Sequence, residues 1–366
     1  NSLPDVYPRD PVQIQFTSGT TGFPKGAKLH HMGLLNNAKS FQIRMGMEKG
    51  DHWLNCMPMF HTSGAGMATL GCLAMRATHF IMERFDAKNW CAVVEREKIN
   101  FLTAVPTMFV EILDAWKSGS YGVSKIKGMT SGGTSVPPSL VKELHDLFGV
   151  WIQIVYGQTE SSPVITLAWA DDSLDNLTNS IGQPLPNIEV SIRNPKTNKT
   201  LKVGEIGEIC SRGYNTMLEY HQNPEASKET IDSDNWLHTG DLGVMDSQGY
   251  VRISGRVKEM IIRGGENIYP KEIENILLEH EAISEVAIVG IPDKKYGEIV
   301  GCFIKFEDEQ VLKSAELKDF IRQKISPQKT PAFWVEIETW PLTGSGKIKK
   351  FSLREQFESG TLLPME

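Results

Sequence analysis

Within Thr17-Ser18-Gly19-Thr20-Thr21-Gly22-Phe23-Pro24-Lys25-Gly26 the chain gathers four hydroxyl side chains, three glycines and one lysine. Glycines let successive backbone N–H groups turn towards an anion, hydroxyls add donors, and a lysine adds positive charge. The composition is that of a polyphosphate cradle, although a Ser/Thr/Gly surface loop would share it. A Walker A loop is excluded, because Lys25 is followed by Gly26 rather than Ser or Thr. A second group is Tyr156-Gly157-Gln158-Thr159-Glu160. Tyr156 offers an aromatic face to a purine, Gly157 permits close backbone approach, Thr159 can donate to phosphate, and Glu160 can hold Mg²⁺ through oxygen. A tyrosine at a strand end also serves as plain packing. Asp241, in Thr239-Gly240-Asp241, suits a bidentate carboxylate for two ribose hydroxyls or an Asx turn. His61, beside Phe60 and a run of small residues, suits either the wall of an apolar cleft or a buried helix. Lys347 lies in Pro341-Leu342-Thr343-Gly344-Ser345-Gly346-Lys347-Ile348, again without Walker A spacing, and alone would be a solvated surface charge. His30 and His31 are adjacent and so point to different faces of a helix, which argues against a two-histidine metal site.

The elements that must position these residues alternate in period. Val12 to Phe16 reads as a strand before the cradle, and Leu29 to Ser40 as a helix behind it. Trp90, Val93, Val94 and Glu97 suit a helix, Ile99 to Val105 a strand, and Pro106 starts the next helix through Phe109 and Leu113. Gly132-Gly133-Thr134 follows a short strand. Leu140, Val141, Leu144, Leu147 and Phe148 mark one helix face, and Trp151 to Tyr156 is the next strand. Such alternation predicts an α/β fold with a mainly parallel sheet, whose ligands gather at strand C-termini. Between Ile181 and Gly255 short runs separated by Pro, Gly, Asn and Asp predict a small antiparallel, β-barrel-like subdomain. After Gly255 to Glu259, a helix beginning near Pro270, strands at Glu285 to Gly290 and Gly301 to Phe306, and the face Leu317, Phe320, Ile321, Ile325 predict an α+β module. The expected division is a large domain, 1–257, and a C-terminal domain, 258–366. Within the large domain, residues 1–180 would form the α/β sheet region and residues 181–257 the β-rich subdomain.

The 366 residues are 40% apolar and 23% charged, as in ordinary globular proteins. A net charge of −7 argues against a nucleic-acid partner. Cys56, Cys72, Cys91, Cys210 and Cys302 are scattered without zinc spacing and read as reduced, buried thiols of an intracellular protein. The uncharged run Trp53 to Met75 is interrupted by Asn55, Pro58, His61 and glycines, which suits it poorly to a membrane span. The chain starts with Asn1 and reaches its candidate cradle almost at once, so it reads as a fragment lacking upstream strands of its large domain.

Ser-Gly-Thr-Thr-Gly-x-Pro-Lys-Gly resembles the signature of the adenylate-forming (AMP-binding) enzymes. The aromatic–histidine motif at Phe60-His61, Gly132-Gly133, Tyr156-Gly157-x-Thr159-Glu160, Thr239-Gly240-Asp241 and the closing Pro341-Leu-Thr-x-x-Gly-Lys347-Ile follow in that family's order. The whole chain looks like an acyl-CoA synthetase. Glu219-Tyr220, Arg263 to Pro270 and Glu160-Ser161-Ser162-Pro163 lean towards the medium-chain fatty-acid branch, for which a mitochondrial setting is implied. The resemblance implies two steps using ATP, Mg²⁺ and CoA: adenylation of a carboxylate with loss of pyrophosphate, then attack by the CoA thiol with loss of AMP. It implies that Thr17, Ser18, Gly19, Thr20, Thr21, Gly22 and Lys25 hold the β/γ-phosphates, and that Gly132, Gly133, Thr134, Tyr156 and Gly157 wall the adenine. Thr159 would meet phosphate, Glu160 Mg²⁺, His61 the carboxylate substrate, and Asp241 with Arg256 the ribose. Lys347 would stabilise the α-phosphoryl group, Lys258 would be a domain hinge, and Gly264 and Gly265 would admit the CoA arm. One departure is that Ile154 and Val155, ahead of Tyr156, are apolar where the family often has a polar residue. The alternatives are transfer of the acyl group to a carrier protein or to oxygen, a non-catalytic binding protein, and a truncated product without turnover.

Overall fold

The computed structural model describes residues 4–17, 24–122, 125–134, 136–307, 310, 312–342 and 348–365. Its contacts divide the chain into two units, 1–239 with 243–253, and 240–242 with 254–366.

A seven-stranded sheet forms the centre of the first unit, in the order Thr78–Ile81, His52–Asn55, Phe101–Thr103, Gly128–Gly132, Ile152–Gly157, Val164–Leu167, Gln183–Pro184. Its first five strands run parallel, and the last two turn back antiparallel. Successive side chains of a strand face opposite ways, so a sheet covered on both sides must be apolar at consecutive positions. Trp53 and Phe101 point to one face, where they stack at 6.3 Å beneath Phe41 and Met45, while Leu54 and Leu102 point to the other. That second face is covered by the helices Ala87–Arg96, Pro106–Ser118 and Pro138–Phe148, through Trp90, Phe109, Trp116, Leu144 and Phe148. Two of these helices start on prolines, whose missing N–H is no loss in a first turn.

The helix expected from Leu29 begins instead at His31 and ends at Arg44. Lys25–His30 is a strand, and His30 caps the helix: its Nδ1 accepts the Gly33 N–H at 3.0 Å, and its Nε2 lies 3.2 Å from the Thr216 carbonyl. Burial lowers the His30 pKa, in keeping with a neutral ring that accepts on one nitrogen and donates on the other. The strand belongs to a three-stranded sheet in the order Pro11–Thr17, Lys25–His30, Glu219–Tyr220, in which Thr17 stands opposite Lys25.

The β-rich region is not a barrel among the described residues. Ile188–Arg193 pairs antiparallel with Gly207–Gly213, in an open four-stranded sheet continued by Leu237–Met245 and Val251–Arg256. Four strands are too few for twist to bring the two edges together.

In the second unit, strands Ile283–Asp293 and Gly297–Phe306 form a long antiparallel pair, flanked by Ile261–Arg263 with Glu266–Ile268 and, in parallel, by Phe333–Glu336. One face packs Ile288, Cys302 and Ile304 against the helices Pro270–Leu277 and Ser314–Arg322. The other face packs Ala287, Val289 and Phe303 against Leu353 of the helix Lys350–Glu358. Lys350 lies between Glu259 at 2.8 Å and Glu274 at 2.7 Å, and Glu274 also accepts the Ile288 N–H at 3.0 Å. Burial acts to lower the Lys350 pKa, but the two carboxylates outweigh it and hold the ammonium above its usual value. The ion pair thus ties the start of the last helix to Pro270–Leu277 and to the turn at Val257–Glu259.

One polar contact anchors the antiparallel part of the seven-stranded sheet. Asn37 is fully buried; its amide donates to the Val164 carbonyl at 2.7 Å and accepts the Val164 N–H at 2.9 Å. This pins Val164–Leu167, the strand beside Ile152–Gly157, to the helix His31–Arg44. Asn37→Leu should therefore destabilise the protein by about 1–3 kcal/mol, the scale for stranding buried backbone groups. Urea unfolding reads this as a lower midpoint at constant slope; an unchanged midpoint would remove Asn37 from this role.

Candidate functional site

The parallel strands end on one edge, and Gly132 to Thr134, Tyr156 to Glu160 and the segment leading to His61 follow their ends. Gly132 stands opposite Val155 in the paired strands Gly128–Gly132 and Ile152–Gly157, so Gly132-Gly133-Thr134 leaves the sheet beside Tyr156. Gly133 and Thr134 are exposed and Tyr156 is half-buried. Tyr156 packs partly against the apolar residues below it, so it serves the core as well as the edge. Asn55 ends the neighbouring strand His52–Asn55, and the chain from there reaches His61. His61 is exposed: its Nδ1 lies 2.7 Å from the Ser63 hydroxyl and accepts the Ser63 N–H at 3.1 Å. Phe60 is 80% exposed, so the described residues do not close an apolar cleft around this pair. The following Ser63–Leu70 is a π-helical stretch, a rare geometry that is enriched at functional sites.

Two glycines read as room for a ligand have a nearer reason. A Cβ on Gly157 would sit 1.9 Å from the Pro163 carbonyl oxygen, and one on Gly132 2.2 Å from that of Val155. Their close approach is to neighbouring backbone. Ile154 and Val155, the apolar residues ahead of Tyr156, pack into the two sides of the sheet.

Glu160 is the middle residue of the short turn Thr159–Ser161 and is buried. Its carboxylate accepts the Tyr220 hydroxyl at 2.5 Å, and its carbonyl accepts the Met217 N–H at 2.8 Å. A donor this close to a carboxylate makes a strong, charge-assisted hydrogen bond. Burial, followed by the Glu160 charge, raises the Tyr220 pKa well above the usual phenol value, so the hydroxyl remains the donor. The Lys25 ammonium lies 4.9 Å from the centroid of the same tyrosine ring. Lys28 pairs with Glu219, on the same two strands. Tyr220 therefore links the return strand of the Ser/Thr/Gly segment to the acid at the sheet edge. In the sequence Tyr220 stands out only as a mark of subfamily. Its position after an acidic residue that pairs with Lys28 across the strands is the one signal that could have found it.

The described donors suit Mg²⁺, a hard cation commonly held by one carboxylate together with substrate phosphates. Glu160 supplies one fixed carboxylate at the edge, and Lys25 supplies a cation suited to phosphate. Ser18 to Gly22 and Lys347 lie outside the described residues, as do the remaining residues of those two segments, 23 and 343–346. Their described flanks are held together: Thr17 stands opposite Lys25, and Leu342 bridges Ile348.

In the second unit, Asp241 and Arg256 meet, with Arg256 Nε 3.0 Å from Asp241 Oδ1. Asp241 lies in the strand Leu237–Met245 rather than in an Asx turn. Lys258 sits in the turn Val257–Glu259. Gly264 and Gly265 have φ of +59° and +90° and join Arg263 to the opposing Glu266. A two-residue hairpin with positive φ at both positions is a type I′ turn, and that geometry alone calls for glycine.

Tyr220→Phe removes the donor from the buried Glu160 carboxylate. It should cost about 1.5–3 kcal/mol of folding stability at neutral pH, the scale of a hydrogen bond to a charged group. Chemical denaturation checks this, and a variant as stable as the parent would deny the bond.

Comparison with known proteins shows matches along most of the chain. A family model described as AMP-binding enzyme matches residues 2–221, and one described as AMP-binding enzyme C-terminal domain matches 272–347. The chain is 40% identical to YngI of Bacillus subtilis (strain 168) over 346 residues, 94% of this chain and 63% of that protein. It is 39% identical to the human medium-chain acyl-CoA ligase ACSF2, mitochondrial, over 355 residues, 95% of this chain and 58% of that protein. The chain thus spans about three-fifths of the length of these curated relatives. Among solved structures, o-succinylbenzoate coenzyme A synthetase (MenE) from Bacillus subtilis, in complex with ATP and magnesium ion, superposes with a TM-score of 0.84. It is 28% identical, over 95% of this chain and 71% of that one.

Proposed function

The chain belongs to the AMP-binding enzyme family, and from that premise we propose that the protein carrying it is an ATP-dependent, AMP-forming ligase that joins a medium-chain fatty acid to CoA. The observation that supports this reading is the Lys25–Tyr220–Glu160 arrangement, in which one tyrosine ring carries the Lys25 ammonium on its face and donates its hydroxyl to the Glu160 carboxylate. The identity to a medium-chain acyl-CoA ligase supports the substrate class, and the word mitochondrial in that relative's name supports the compartment. No helix among the described residues is long and apolar enough to cross a membrane.

In the first step a carboxylate oxygen of the fatty acid attacks the α-phosphorus of ATP and pyrophosphate leaves. In the second the CoA sulfur attacks the acyl carbon, the thiol proton is lost to solvent, and AMP leaves. Such chemistry asks the protein for charge neutralisation and alignment rather than covalent help. Lys25, with Thr17 and the segment Ser18 to Gly22, would bind the β- and γ-phosphates, and Thr159 would donate to phosphate. Glu160, oriented by Tyr220, would hold Mg²⁺, which when bound neutralises phosphate charge. Gly132, Gly133, Thr134 and Tyr156 would border the adenine, and His61 the fatty-acid carboxylate. Asp241 would accept the ribose hydroxyls, with Arg256 fixing its carboxylate. Lys347 would meet the α-phosphoryl oxygens. We take 1–257 and 258–366 as domains that turn about Lys258 between the two steps, with the Gly264-Gly265 hairpin beside the CoA arm.

The test is product analysis of the protein carrying this chain, across a fatty-acid length series with and without CoA. AMP and acyl-CoA in equal amounts, greatest for medium lengths, are expected; ADP as product, or AMP whose release ignores CoA, would overturn the reading. Asp241→Ala should weaken ATP binding by about 1.5–3 kcal/mol. Calorimetric titration with unchanged ATP affinity would take Asp241 out of the site.

A further inference from the structure

One cluster in the first unit is not used by the reaction proposed above. Glu208 and Cys210 are alternate residues of the strand Gly207–Gly213 and share a face, and His238 stands on the neighbouring strand Leu237–Met245. The Glu208 carboxylate lies 2.8 Å from His238 Nδ1, and the Cys210 sulfur lies 3.5 Å from the same nitrogen. One donor atom from each residue falls within 4.8 Å of the other two. Cys210 is fully buried and Glu208 nearly so.

We propose that Glu208, Cys210 and His238 bind a divalent cation of the zinc class, forming a cross-strand clamp. Three features support it. The donor set is one thiolate sulfur, one imidazole nitrogen and one carboxylate oxygen, the mixture that zinc takes. Zinc bonds of about 2.3 Å to sulfur and about 2.0–2.1 Å to nitrogen, at a tetrahedral angle, separate those atoms by about 3.6 Å, close to the spacing found here. The Glu208 oxygen would have to draw back from Nδ1 by about half an ångström, within reach of its rotatable bonds.

The third feature is the far side of the ring. The Asp232 carboxylate lies 3.6 Å from His238 Nε2, on the side where a ligating histidine commonly meets a carboxylate, though beyond hydrogen-bond distance. Asp232 is itself held by Asn198 at 2.9 Å, by Arg193 at 3.4 Å, and by the N–H groups of Asp234 and Trp236, both at 2.9 Å. It is thus fixed in place without the cation. Cation binding displaces the proton of the Cys210 thiol, which burial and then Glu208 otherwise hold in place. The remaining coordination position would fall to water.

The alternative is a metal-free ion pair, a protonated His238 between Glu208 and Asp232, and the two differ spectroscopically. The protein carrying this chain is stripped with a chelator and titrated with Co²⁺ alone. One bound equivalent with a sulfur-to-cobalt charge-transfer band is expected; that band should vanish in Cys210→Ser and persist in Cys302→Ser. No band in the parent protein, or a band that survives Cys210→Ser, would overturn the proposal. If Cys210→Ser fails to fold, X-ray absorption of the zinc-loaded parent decides: a single sulfur with nitrogen and oxygen neighbours upholds the site. A shell with no sulfur, or with several, overturns it.

Discussion

A carboxylate can be buried only if something holds its charge, and at Glu160 the Tyr220 hydroxyl does so. Much of the first unit can be read outward from that bond. Tyr220 lies in the strand that pairs with Lys25–His30, so the bond joins the three-stranded sheet to the edge of the seven-stranded one. The same ring carries the Lys25 ammonium on its face, and Lys25 stands opposite Thr17. A chain of short contacts therefore relates both described flanks of the Ser/Thr/Gly segment to the acid, without a charged pair between them. In the proposed reaction this spacing matters, because a lysine paired directly with Glu160 would compete with a cation for the carboxylate.

The parallel sheet was legible because its strands are apolar at consecutive positions and are punctuated by helices beginning at Pro106 and Pro138. The same alternation puts Gly132 to Thr134 and Tyr156 to Glu160 at strand ends, where the structure has them. The helix start at His31 was misplaced because apolar spacing continues through Leu29, and a histidine cap is uncommon enough to go unread. Tyr220 and Lys350 were missed for a shared reason. Each acts through partners distant in sequence, Glu160 and Lys25 for the one, Glu259 and Glu274 for the other, and local patterning carries no record of such pairs. Glycines were the most ambiguous letters. Gly157 and Gly132 make room for neighbouring carbonyls, and Gly264-Gly265 satisfies a turn, so backbone geometry explains them before any ligand does.

His61 and His238 differ in how plainly the sequence marks them. His61 drew attention through its motif, yet in the first unit it is an exposed residue engaged with Ser63. His238 belongs to none of the motifs singled out in the sequence, yet it sits half-buried among Glu208, Cys210 and Asp232. Scattered cysteines do not announce such a cluster when Glu208 lies two residues away, His238 comes from a neighbouring strand and the spacing follows no motif. The cluster and the acid at the sheet edge are separate pieces of chemistry, and either can stand without the other.

The central claim is that the fatty-acid carboxylate attacks the α-phosphorus of ATP, and the fate of the carboxylate oxygen tests it most directly. A fatty acid bearing a heavy oxygen isotope in its carboxylate is supplied with ATP and CoA, and the products are weighed by mass spectrometry. An acyl-adenylate route transfers one labelled oxygen to AMP and leaves pyrophosphate unlabelled, which is the result expected here. Label in inorganic phosphate or pyrophosphate with none in AMP would contradict the account.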